Sequence, residues 1–93
     1  MIKECRDSEQ GIDYIGNLAT TRSGKTCQRW DSNFPHSPNS AIKGENFPEK
    51  SLAMAGNKCR DPENENYLWC YTTDPGTRWD KCDVPMCDGK SFN

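Results

Sequence analysis

With 93 residues the chain is long enough for one domain, yet only eleven of them are Leu, Ile, Val or Phe, which excludes an ordinary aliphatic core. A net charge of −2 argues against nucleic acid, heparin or an anionic membrane as an electrostatic partner and slightly favours basic ligands. Six cysteines, an even number in a short chain, read as a disulfide framework, so the expected setting is oxidising and extracellular.

Crosslinks offset the missing core. Ordering such a chain costs on the order of 140 kcal/mol at about 1.5 kcal/mol per residue, and each bridge returns roughly 3–5 kcal/mol by restricting the unfolded state. No apolar run of signal-peptide length opens the chain, and no window approaches a membrane span. The reading is therefore a monomeric module of a larger secreted or cell-surface protein, without membrane insertion. Met1 to Glu4 and residues 88–93 lie outside the outermost cysteines and read as linker, with residues 5–87 as the domain.

Along the chain no segment sustains a 3.6-residue apolar period, and there is no internal repeat. Turn signals recur at Ser23-Gly24, Asn33 to Pro38, Asn46 to Pro48 and Asp74-Pro75-Gly76. His36 is the single histidine. A zinc site wants closely spaced thiolate or imidazole pairs, and no Cys-x-x-Cys occurs. An even cysteine count leaves no thiol for a Cys–His nucleophile, and the module has no room for a protease fold around a triad. His36 is expected to be structural, with no metal, no cofactor and no catalysis in this module; a protease or kinase domain elsewhere in the parent stays open.

The stretch CRDPENENYLWCYTTDPGTRWDKC, from Cys59 to Cys82, concentrates large aromatics and opposite charges. Asp74-Pro75-Gly76 fits a type II turn with Gly76 at φ > 0, and the β-branched and aromatic residues around it predict a hairpin. Strand alternation then puts Trp69 and Tyr71 on one face and Cys70 on the other. The returning arm brings Arg78 and Trp79 beside that face. If Pro62 to Asn66 is extended, Glu63 and Glu65 project together. The result is an aromatic trough with two carboxylates at one end and a guanidinium at the other, suited to a lysine side chain or a C-terminal lysine. Plainer roles stand beside these: a solvated acidic loop for Glu63 and Glu65, cover for the inner cystine for Trp69, and an ordinary cross-strand cluster for Tyr71, Arg78 and Trp79.

These residues resemble a kringle domain, the triple-disulfide module of plasminogen, prothrombin, hepatocyte growth factor and some receptor ectodomains. The resemblance runs from Cys5 to Cys87 and rests on GIDYIGNLATTRSGKTCQRWD, the FPH at Phe34 to His36, ENFP at Glu45 to Pro48, CRDP, WCYTTDP and RWDKCDVPMC. It implies a small disulfide-rich fold, mostly loops with short antiparallel strands, bridged Cys5–Cys87, Cys27–Cys70 and Cys59–Cys82. It also implies core roles for Trp30 and Leu52. From kringles that bind lysine it implies an anionic pair at Glu63 and Glu65, a trough of Trp69, Tyr71 and Trp79, and a cation at Arg78.

Three departures stand out. The pair is Glu-x-Glu where the family has Asp-x-Asp, so each carboxylate sits one methylene further out. Tyr67-Leu68 replaces a compact Gly-Pro and either extends the trough or blocks it. A short insertion near Pro38 to Gly44 leaves Lys43 without a clear counterpart. The expected function is a non-catalytic extracellular module that docks a protein partner through lysine or lysine analogues. The alternative is a kringle with a decayed lysine site, acting as a spacer or protein-contact surface in a growth factor, protease zymogen or receptor ectodomain.

Overall fold

The computed structural model describes residues 4–87. Regular structure within them is sparse, as the lack of periodicity predicts. A single 3-10 turn, Gly44–Asn46, precedes one α-helical turn, α1, Leu52–Ala55. Ser51 caps α1 by accepting from the Met54 N–H, and Gly56 ends it at φ +61, a conformation that glycine adopts without a Cβ penalty. Strands β1, Trp69–Tyr71, and β2, Trp79–Lys81, pair antiparallel with Trp69 opposite Lys81 and Tyr71 opposite Trp79. Isolated bridges tie the remaining loops to this hairpin: Cys27 with Thr72, Arg60 with Trp69, and Arg6 with Met86 near the chain ends.

All six cysteines are bridged, as Cys5–Cys87, Cys27–Cys70 and Cys59–Cys82. The two inner bridges stack, with their four sulfurs within 4.8 Å of one another. Around them the core is built from rings. Trp30 is 2% exposed and meets Phe47, Trp69 and Tyr71 edge to face, at 5.1, 5.2 and 5.9 Å between centroids. Its indole N–H donates to the Lys58 carbonyl at 2.7 Å. A buried ring removes about 150–250 Å² from water, at most about 4–6 kcal/mol at 25 cal/mol/Å². Aromatics thus compensate for the few aliphatics. Leu52 is half-buried and packs against this cluster, while Leu68, Val84 and Ile42 complete it.

The hairpin turn closes differently from the type II expectation. Thr77 N–H donates to the Asp74 carbonyl at 3.0 Å, but Gly76 does not take a positive φ. The Asp74 side chain accepts from Gly76 N–H at 2.9 Å, which favours the Asp-Pro form of a type I turn and removes the need for glycine's freedom. His36 is buried and structural: its backbone N–H donates to the Gln28 amide, its carbonyl accepts from the same amide, and Nε2 lies 2.9 Å from the Asp74 carbonyl. It fastens the loop after Trp30 to the hairpin turn. Glu4, read as linker, accepts from the Tyr14 hydroxyl and the Asn17 amide, so it is tied to the domain. Met1 to Lys3 and residues 88–93, read as linker, lie outside the described residues.

Candidate functional site

The acidic end of the cleft is made by a turn and not by extended chain. Asp61 is buried, and its carboxylate accepts from the backbone N–H of Glu65 at 2.8 Å and of Asn66 at 3.0 Å, and from the Gln10 amide at 2.9 Å. The Asp61 carbonyl accepts from Asn64 N–H, and Asn64 and Asn66 take φ of +58° and +75°. Asparagine tolerates this region better than most residues. Extended geometry over Pro62 to Asn66 is therefore corrected: Asp61-Pro62 starts a turn that Asp61 holds from below. Glu63 and Glu65 nevertheless reach the same cleft, one half-buried and one exposed. Among the described residues neither carboxylate has a hydrogen-bond or ion-pair partner.

The walls come from the hairpin. Trp69 and Tyr71, each 4% exposed, lie at 77° to one another with centroids 5.1 Å apart, and Cys70 between them turns inward to its bridge. Trp79, 44% exposed, stands across the ladder at 77° to Trp69. Tyr67 lies nearly parallel to Trp79, at 14° and 6.0 Å, so it lengthens the aromatic surface. Burial first, and then the Glu65, Asp61 and Glu63 carboxylates, push the Tyr67 hydroxyl above the ordinary phenol range. Three carboxylates thus act on that ring. The Lys81 ammonium rests over it at 4.5 Å.

At the other end the Arg78 guanidinium lies over Tyr71 at 5.0 Å and donates to the Ser37 carbonyl at 2.8 Å. Asn39 N–H donates to the Tyr71 hydroxyl oxygen at 3.0 Å, which brings the loop after His36 against the trough. The cleft so formed has a volume of about 360 Å³ and is lined by Glu63, Glu65, Trp69, Tyr71, Arg78 and Trp79, joined by Asn39 and Tyr67. Lys43 is exposed and does not line it.

Asn39, Ser37 and Asp61 are the contributors that sequence reasoning passes over. For Asp61 a signal exists: Asp-Pro followed by two asparagines is turn chemistry of the same kind as Asp74-Pro75-Gly76. For Asn39 and Ser37 none does, because both act through backbone atoms that carry no residue identity. The family model for the Kringle domain matches residues 5–87 of the chain.

Proposed function

The chain belongs to the kringle family, and from that premise we propose that its cleft docks a protein partner outside the cell through a lysine side chain or C-terminal lysine. Kringles are non-catalytic modules that generally bind proteins. They are extracellular, and no helix among the described residues is long and apolar enough to cross a membrane. The lysine reading rests on one observation above the others: two carboxylates without a partner among the described residues, four rings and a fixed guanidinium share one cleft. An ammonium meets Glu63 and Glu65, an aliphatic stem lies along Trp69 and Trp79, and a carboxylate reaches Arg78.

One exposed ion pair contributes only about 0–1 kcal/mol, so the affinity must come from the rings and both charged ends together. Titration with 6-aminohexanoic acid is expected to change tryptophan fluorescence saturably and to shift the amide resonances of residues 63–79. Unchanged spectra at saturating ligand would leave the spacer reading in its place.

A second measurement separates the roles of the two ends. Arg78→Ala removes the partner of the ligand carboxylate, so it is expected to weaken 6-aminohexanoic acid several-fold or more while barely changing hexylamine. Charge-assisted contacts of this kind are worth about 1.5–3 kcal/mol when shielded, and less when wet. Glu63→Gln or Glu65→Gln is expected to weaken both ligands alike. Equal loss of both ligands on Arg78→Ala, with the fold intact, would assign Arg78 to holding the Ser37 loop.

A further inference from the structure

We propose that the cleft takes a trimethylated ammonium, at the end of a lysine-like chain that also bears a carboxylate, at least as tightly as the primary ammonium, and that Tyr67 sets this preference. The inference rests on the reading of the cleft as a site for ω-ammonium carboxylates. It concerns which ammonium the acidic end accepts.

A primary ammonium is a compact, strongly hydrated charge with three donors, and it gives up water only for acceptors. Acceptors are few here. The Asp61 carboxylate is engaged by Glu65 N–H, Asn66 N–H and the Gln10 amide. Asn39 Oδ1 accepts from Ala41 N–H, and the Tyr71 hydroxyl oxygen accepts from Asn39 N–H. What remains is the pair Glu63 and Glu65, carried on a surface turn, which would have to lose rotamer freedom to grip N–H groups.

A trimethylammonium has no donors to satisfy and spreads its charge over methyl groups. Ring surface and carboxylates that no other described residue pairs are what it needs. The cleft supplies both. Tyr71 and Trp79 each stand at 77° to Trp69, and Tyr67 runs within 14° of Trp79, so the four rings that line the cleft do not share one plane. Two of these rings already hold cations, Lys81 on Tyr67 and Arg78 on Tyr71. The Lys81 ammonium rests on its ring and makes no ion pair with Glu63 or Glu65. Without Tyr67 the acidic end would have Trp79 alone as its exposed wall.

Calorimetric titration of the wild-type domain with 6-aminohexanoate and with 6-(trimethylammonio)hexanoate tests this directly. The expected result is an equal or lower Kd for the trimethylated compound. Tyr67→Leu, which keeps apolar bulk, is expected to weaken the trimethylated ligand by about fivefold or more and the primary amine by less than about twofold. Binding of the primary amine with a trimethylated ligand tenfold weaker would overturn this inference and leave the lysine reading standing. Saturable binding of neither compound would overturn both. Equal weakening of the two ligands by Tyr67→Leu would remove the assigned role of Tyr67.

Discussion

Replacing Cys27 and Cys70 together by alanine is expected to cost about 4 kcal/mol, the loop-closure entropy returned to an unfolded chain when a crosslink spanning 43 residues is lost. For a domain of this size each kcal/mol is about 4–8 °C of melting temperature, so a fall of roughly 15–30 °C should be seen by circular dichroism. A second effect acts in the same direction. Both cysteines are buried against the other inner bridge and the Trp30 cluster, and their loss opens a cavity there. The outer bridge supplies the control. Cys5–Cys87 spans 82 residues, and entropy alone ranks it first at about 4.5 kcal/mol. The ends it joins, however, are also held by Arg6 N–H to the Pro85 carbonyl and Cys87 N–H to the Arg6 carbonyl, so they stay together in part without it. The inner bridge is expected to cost more. The opposite ranking would mean that the unfolded state alone decides, and that packing around the inner sulfurs contributes little.

Arg60→Ala is expected to destabilise the domain by about 3–5 kcal/mol, the usual result of breaking a buried ion pair from one side. Arg60 is 2% exposed, and its guanidinium donates to the Glu49 carboxylate, to the Gly16 carbonyl at 3.1 Å and to the Cys59 carbonyl at 2.7 Å, while it lies over the Tyr14 ring. Removing it leaves a shielded carboxylate and two carbonyls without their donor. The pair itself adds little beyond what apolar packing would give, since desolvation offsets most of the attraction. Arg60→Met combined with Glu49→Leu should therefore recover much of the loss in urea denaturation. Strict additivity of the two single changes would show that each residue acts through other contacts.

How far the sequence speaks for itself differs between residues. The hairpin is legible because side-chain type and alternation specify it. The pairing of the cysteines and the six cleft residues are legible only through the resemblance to kringle motifs, since six cysteines alone leave fifteen pairings. Arg60 stands inside the quoted CRDP, yet nothing in that string reveals that it is buried against a glutamate eleven positions earlier. Long-range partners of a charged residue leave no local trace. The geometry of Pro62 to Asn66 departs from the extended expectation for a different reason. Two asparagines at positive φ break the alternation there, and the Asp-Pro turn signal present at Asp74 is present at Asp61 as well. Type II at Gly76 failed likewise: glycine permits positive φ but does not require it.

The acidic turn hangs from one buried carboxylate and one glutamine of the N-terminal segment, while the side chains at 63 and 65 point away from those supports into the cleft. Its shape and its chemistry are thus specified by separate atoms. Positions 63 and 65 can be exchanged among residues of different length and charge without touching the suspension. Position 66 tolerates chiefly asparagine, aspartate or glycine, which accept positive φ, while position 64 also supplies a side-chain acceptor to the Gln10 amide, which asparagine or aspartate can provide. The segment has the construction of an interchangeable tip on a fixed handle, a format in which one scaffold diversifies its ligands at little risk to its folding.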